Sequence, residues 1–370
     1  MDLASLSDKY GAFYVPAFAV RAARSDLMRD EFVAVSQVEA DLVLGGSGRF
    51  SFTVVDAYDI EFRGFKSGRG KNVLEMLAFG TEIELRFGYG DVKGLQPLVK
   101  GVVTEITTNF PETGSPELAI SGYDSAFPMT NGKSSRTWKD ARDSDAVQEI
   151  ASFHNLKASI GRTEEQHKQI EQNEESDFEF VKKLADRNHF EVFVDSDGTL
   201  HFQKPDDRKD GILTLQYGAG LLSFKPEANL AGQIARVEVY GWNPKTGERI
   251  TGEARAGQES GLEPQRKSAG QLFSSLTSNA KKEPVLRMRT PVFTQAEANS
   301  RAKAALNERA KQFLTGEAET IGLPEIRPDT NVTLENLGKP FSKTYYVQQA
   351  THKIDAGGYR TRFKVKETTL

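Results

Sequence analysis

Residues 80–90 read Gly80-Thr81-Glu82-Ile83-Glu84-Leu85-Arg86-Phe87-Gly88-Tyr89-Gly90, with apolar and polar side chains alternating until glycine interrupts them. Period two places Ile83, Leu85 and Phe87 on one face of a strand and leaves the charged residues on the other. Working outward, Leu98 to Ile106 predicts a second strand. Pro111-Glu112-Thr113-Gly114 predicts a hairpin turn, and Leu118 to Tyr123 the returning strand. Upstream, Val15, Ala17 and Ala19 begin an extended segment. Phe32 to Leu42 suggests a strand pair, and Phe50-Ser51-Phe52-Thr53-Val54 alternates again. Short strands with Gly-rich turns point to a barrel or sandwich over residues 1–127.

The same order of elements returns near the end. Pro328-Asp329-Thr330-Asn331-Val332-Thr333-Leu334 leads to a loop at Gly338. Tyr345-Tyr346-Val347 starts a strand, Gly357-Gly358 turns it, and Tyr359 to Val365 completes the hairpin. Both thirds therefore read as polar turn, alternating strand, loop, strand, hairpin, strand. The expected fold is mainly β with an α+β insertion: two tube-like antiparallel β-barrel domains plus a small peripheral α+β domain.

Residues 128–205 supply that insertion. Ser144 can cap a helix carrying Ala146, Val147, Ile150, Ala151 and His154 on one face. Ser176 and Glu179 form an S-x-x-E capping box, with Phe178, Val181, Leu184 and Ala185 at helical spacing behind it. Phe190, Val192 and Val194 alternate, Asp197-Gly198 turns, and Leu200 and Phe202 return. Residues 206–370 make the second β-domain. Ile234 to Tyr240 predicts a strand, and Asn243-Pro244-Lys245-Thr246-Gly247 a turn. Residues 252–284 are polar, with one apolar cluster at Leu272, Phe273 and Leu276, and read as a long mobile loop. Val285 to Phe293 reads as extended. Thr294 with Glu297 opens a helix over about 295–314 through Ala298, Ala302 and Leu306.

The composition narrows the function. With 48 Lys and Arg against 52 Asp and Glu, the net charge of −4 argues against a surface built mainly for nucleic-acid phosphates. The chain has no cysteine, which excludes disulfides, thiolate nucleophiles and Cys-ligated zinc. Met1-Asp2-Leu3-Ala4 does not begin a signal peptide, and no apolar run reaches the ~20 residues of a membrane span. Synthesis in the cytoplasm is expected, and no integral membrane segment. The five histidines, His154, His167, His189, His201 and His352, show no H-x-x-x-H pair, so no metal site is expected and His352 reads as a packed or turn residue. Gly68-Arg69-Gly70-Lys71-Asn72 lacks both the spacing and the hydroxyl of a phosphate loop, so no nucleotide is expected. Gly45-Gly46-Ser47-Gly48 reads as a hairpin turn. Glu174, Glu175, Asp177 and Glu179 are the densest carboxylates, and a helix N-terminus accounts for them through its dipole. No G-x-S-x-G elbow occurs. No cofactor and no catalytic residue is expected.

Three stretches carry a resemblance to a known family. Gln172 to Ala185, with Glu175-Ser176-Asp177-Phe178, Phe180, Leu184 and Ala185, then the turn at Asp197-Gly198, resembles the "ESDF-x-F-x-x-x-LA" helix and hairpin of the phage late control protein D family and of VgrG-type hubs. Thr294-Gln295-Ala296-Glu297-Ala298 is similar to that family's "S/T-x-x-EA" helix. Ile326-Arg327-Pro328-Asp329-Thr330, then Tyr346, Val347 and His352, then Gly358, Tyr359 and Thr361 resemble its closing barrel. These motifs span about 136 to 365. The resemblance implies a structural baseplate hub and no enzyme: a homotrimeric hollow adaptor joining a sixfold inner tail tube to a threefold spike. Implied partners are further copies of the chain, a separate spike protein, the inner tail tube protein, and tape-measure and other baseplate proteins. The particle would be a phage tail or a contractile injection system. A cell-wall hydrolase or carbohydrate-binding tail-tip protein stands as the alternative reading.

Overall fold

Residues 1–206, 209–243, 247–262, 266–277, 284–292 and 294–370 are described by a computed structural model. The first third opens with helix α1 (Leu3–Lys9), capped by the Asp2 carboxylate on the Ser5 N–H. Strands β1 (Pro16–Ala22), β2 (Ser25–Asp26), β3 (Ala34–Val43), β4 (Arg49–Val55), β5 (Tyr58–Asp59) and β6 (Gly64–Phe65) follow, then α2 (Val73–Met76), β7 (Glu82–Tyr89), β8 (Gln96–Asn109) and β9 (Glu117–Asp124). The insertion holds α3 (Phe127–Thr130), β10 (Ser134–Arg142), α4 (Asp143–Phe153), β11 (Lys157–Ile160), β12 (Gln166–Glu175), α5 (Asp177–Asn188), β13 (Glu191–Val194) and β14 (Thr199–Gln203). The last part holds β15 (Leu213–Tyr217), β16 (Gly220–Ala228), β17 (Arg236–Asn243), β18 (Glu248–Arg255), α6 (Ala269–Thr277), β19 (Val285–Arg289), α7 (Gln295–Lys311), β20 (Leu314–Ile321), β21 (Asn331–Glu335), β22 (Lys343–Asp355) and β23 (Gly358–Glu367).

Thirteen strands form one sheet, ordered β2-β1-β7-β8-β9-β4-β3-β22-β21-β15-β16-β20-β23, and β23 pairs back onto β22 to close a six-stranded barrel. The first half runs β1-β7-β8-β9-β4-β3, and the barrel runs β15-β21-β22-β23-β20-β16. Ranked by chain order within each half, both read 1-4-5-6-3-2. The fold class is thus mainly β with an α+β insertion. The halves differ in two respects. β1 is antiparallel to β7, whereas β15 is parallel to β21. Pairing between β15 and β16 closes the second ring, and among the described residues no β1–β3 pairing closes the first.

Strand β22 joins the halves. Its Lys343–Tyr346 end pairs with β21, and its Gln349–Ile354 end pairs with β3. One hydrophobic cluster therefore runs through both halves, from Val20, Phe50, Phe52 and Phe87 to Leu213, Tyr345 and Val365. Burying each such side chain fully contributes roughly 1.5–3 kcal/mol. A second core lies in the insertion, where Trp138, Ile150, Phe180, Leu184 and Phe202 meet. A third, built from Val237, Val239, Ile250, Ala298 and Leu306, sits under the small sheet β18-β17-β19.

Several local expectations change. Helix α4 is capped at Arg142 and not at Ser144, because the Asp145 carboxylate accepts the Arg142 N–H at 2.8 Å and draws the start forward. The polar stretch 252–284, expected as a mobile loop, contains the end of β18 and helix α6. Its apolar cluster explains the helix, since Leu272 and Leu276 are one turn apart and Leu272 packs on the main core. Residues 263–265 and 278–283 of that stretch lie outside the described residues, as do 244–246 of the expected turn. The segment expected to be extended to residue 293 is strand only to Arg289, and residue 293 is also outside them.

Candidate functional site

The start of α5 is a polar knot set into the insertion's core. Ser176 Oγ accepts the Glu179 N–H, and the Glu179 carboxylate accepts the Ser176 N–H at 3.0 Å, completing the reciprocal cap. Asp177 is 4% exposed and receives Arg136 through both guanidinium nitrogens (3.0 and 3.3 Å), Gln172 Nε2 (2.8 Å) and His154 Nε2 (2.7 Å). Burial alone pushes this carboxyl up. Hydrogen bonds from Gln172 and His154 and the charge of Arg136 outweigh it, so the acid is held below its ordinary value. Glu175 accepts Lys183 Nζ at 2.9 Å, while Phe178, Phe180, Leu184 and Ala185 enter the core, Phe180 stacking on Trp138 at 5.3 Å. Asp177→Ala would leave Arg136, Gln172 and His154 without their common acceptor. The expected loss is about 3 kcal/mol, read by denaturant titration. Asp177→Asn should recover only part of it.

The closing-barrel motif gathers at a different place, the seam between the two halves. His352 is fully buried on β22 and faces Thr361 across the β22–β23 ladder. Its Nε2–H donates to the Ile326 carbonyl at 3.0 Å, and Nδ1 takes the Tyr359 hydroxyl at 2.9 Å. Thr361 Oγ1 lies 3.1 Å from Nδ1 and accepts the Leu323 N–H. Burial, with the Arg327 charge nearby, depresses His352 to about 3. Tyr359 packs on Phe87 and Tyr89, the last residues of the first half's decisive strand. Gly358 supplies a φ of +97° at the β22–β23 turn, and Val347 is buried where β22 bulges against β23.

The loop from Leu323 to Thr330 clamps three parts of the chain together through Arg327 and Asp329, two residues of the 326–330 motif stretch whose distant partners the sequence pattern does not show. Arg327 donates to the Pro97 carbonyl of the first half (2.8 Å), to Ser196 Oγ of the insertion (2.9 Å) and to the Pro324 carbonyl of its own loop (3.0 Å). Asp329 accepts the Tyr346 hydroxyl (2.8 Å), Gln203 Nε2 (2.8 Å) and the Asp206 N–H (3.1 Å). Pro328 lies between them and lines a cavity of about 280 Å³ with Asp124, Asp195 and His201. Asp124 is buried there and pushed up to about 6, despite hydrogen bonds from Ser47, Gly48 and Ala126. The turn at Asp197-Gly198 is held by Asp195, which accepts the N–H groups of Asp197 and Thr199.

The remaining motif residues, Glu297 and Ala298, start α7. The Thr294 hydroxyl accepts the Glu297 N–H, and Ala298 backs onto Gly252 so closely that a side chain at 252 would strike its carbonyl. Glu297 comes near Glu165 and His167, the one group among the described residues with three metal-type ligand atoms within 4.8 Å of each other. Arg301 binds Glu297 at 2.7 Å, which places a positive charge on that carboxylate. These residues line a cleft of about 590 Å³ between the insertion and α7. The motif residues thus fall in three places: the α5 cap, the seam, and the start of α7.

The profile of a family described as Alg8 N-terminal domain matches residues 72–356, and the chain belongs to that family. No curated protein sequence matches the chain. Among solved structures, a tail protein from Neisseria meningitidis MC58 is similar at TM-score 0.69 and 14% identity, covering 96% of this chain and 97% of that one. The 43 kDa tail protein of prophage MuSo2 from Shewanella oneidensis is similar at TM-score 0.69 and 12% identity, covering 95% and 98%. A component of the Escherichia coli type VI secretion system, itself structurally similar to phage T4 tail proteins, is similar at TM-score 0.55 and 10% identity, covering 94% and 76%. At these identities the likeness is one of fold.

Proposed function

We propose that this member of the Alg8 N-terminal domain family is a structural component of a contractile tail or injection-system baseplate, in which three copies close into a hollow hub. The observation that carries the reading is the shared 1-4-5-6-3-2 strand order of the two halves. Two like β modules per chain let three chains present six similar units to a sixfold tube while keeping threefold symmetry toward a spike. Residues 1–127 and 206–370 would be the tube-forming modules and 128–205 the peripheral one. The spike and the inner tube protein would be separate polypeptides.

Two further features support it. Ile60 and Phe79, on the first half, are 82% and 70% exposed, which suits side chains that become buried between neighbouring subunits. The carboxylates at the α5 start are held in the ionised form: Asp177 and Glu179 both sit below their ordinary values. A glycosidase needs one carboxyl raised so that it can donate a proton. That direction of shift does not suit general-acid work at the α5 cluster, the densest group of carboxylates in the sequence. Light scattering on a sizing column should give three times the chain mass, and Ile60→Asp with Phe79→Asp should shift it toward the single chain. A chain that stays monomeric at about 50 μM, a concentration well above the dissociation constants of stable oligomers, or a lytic band on a peptidoglycan zymogram, would overturn the hub.

A further inference from the structure

The small sheet β18-β17-β19 has two unlike faces. Val237, Val239, Ile250 and Ala254 point into the third core beneath α7. Strand alternation turns the residues between them outward. The outward arginines are Arg236, Arg249, Arg255, Arg287 and Arg289, against only Glu238 and Glu253. Glu238 binds Arg287 at 3.0 Å and Arg236 at 3.3 Å, and Glu253 binds Arg255. Arg249 and Arg289 have no carboxylate partner among the described residues. Arg249 instead lies 4.1 Å over the Tyr240 ring, and Trp242 beside it is 58% exposed. These groups line one open hollow of about 830 Å³, floored by Gly241 and ended by Pro291.

Guanidinium groups left without counter-charges beside exposed aromatic rings form a receptor for anions that also bring apolar surface. Two anion classes fit that chemistry. A nucleic-acid strand carries a phosphate at every step, and a chain of net charge −4 repels its length beyond the patch. A short acidic polypeptide meets only the patch, and its carboxylates match the planar fork of Arg. The edge of β19 away from β17 pairs with no strand among the described residues, so an extended segment can lie along it. We propose that this hollow docks an extended acidic segment of a partner protein, with Arg249 and Arg289 taking carboxylates and Trp242 covering the apolar side chain between them. The site is complete on one chain and does not depend on the hub reading.

The test uses the full chain and a fluorescein-labelled octapeptide alternating Glu and Val, read by anisotropy. Saturable binding is expected that weakens several-fold between about 50 and about 300 mM salt. Arg249→Glu with Arg289→Glu should weaken it by about tenfold or more, and Trp242→Ala by about threefold. The charge-neutral pair Arg249→Gln and Arg289→Gln should fall between wild type and the Glu pair, and all of these residues are exposed enough for the far-ultraviolet circular dichroism to stay unchanged. Equal binding by the Glu pair would overturn the proposal. So would absence of binding at about 1 mM peptide, the weak limit of specific recognition, or tighter binding of a ten-nucleotide oligothymidine than of the peptide.

Discussion

Lowering the pH from 6.5 to 4 should cost the protein about 3 kcal/mol of stability through His352 alone, at about 1.4 kcal/mol for each pH unit titrated below the unfolded value. The imidazole is neutral in the fold, with a value near 3, and returns to about 6.5 when the chain unfolds. A base whose folded value is depressed gives stability that is full above the unfolded value and drains away as pH falls toward the folded one. The window is therefore pH 6.5 down to 3. His189, depressed to about 4 by burial, adds a smaller loss in the same direction, and His167 is also lowered. Asp124 works the other way: raised to about 6, its carboxyl makes the fold relatively better off as pH falls from 6 toward 3.8. The clean measurement is therefore a difference. Denaturant titrations of wild type and His352→Gln from pH 7 to 4 should show a shallower acid limb in the variant, by close to one proton. The variant starts lower at pH 7, because a Gln amide cannot meet both the Ile326 carbonyl and the Tyr359 hydroxyl with the ring's geometry. Parallel acid limbs would mean that His352 is not buried neutral.

The pairs of alternating strands were legible in the sequence because period two survives wherever one face is buried. Ile83, Leu85 and Phe87 are all 0% exposed, as the pattern requires. The α5 cap was legible for a similar reason: a capping box is a local motif whose partners lie three residues apart. The clamp at Arg327 and Asp329 was not, because their partners, Pro97, Ser196, Gln203 and Asp206, lie 123 to 230 residues away. Part of the third core was hidden for another reason. Strands β17 and β19 read as extended, but β18 sets Arg249, Thr251, Glu253 and Arg255 between Ile250, Gly252 and Ala254, which lowers its apolar content to that of a loop. His352 lay between these cases. Its partners Tyr359 and Thr361 are close in sequence, and the β22–β23 register that brings them together follows from the turn at Gly358.

Gly322→Ala should destabilise the protein by about 3 kcal/mol or more, at the upper end for overpacking a filled core. A Cβ at this position would stand 1.9 Å from Cγ of Tyr359 and within 2.3 Å of both neighbouring ring carbons. Neither partner can step back. The Gly322 N–H donates to the Tyr359 carbonyl at 2.9 Å, which ties the two backbones together. The Gly322 carbonyl accepts the Tyr89 hydroxyl at 2.9 Å, and the Tyr359 ring is wedged against Phe87 and Tyr89 on its other side. Displacing that ring would also withdraw its hydroxyl from His352, so the fault would spread into the seam that unites the two halves. Gly322→Ala combined with Tyr359→Ala should therefore be more stable than the sum of the two single losses allows, with a coupling of about 1–2 kcal/mol between contacting residues. Tyr359→Phe, which keeps the ring and removes only the hydroxyl, should give Gly322→Ala no relief. Strict additivity of the Gly322→Ala and Tyr359→Ala losses would show that the glycine is tolerant there and that the seam closes by some contact other than this ring on backbone.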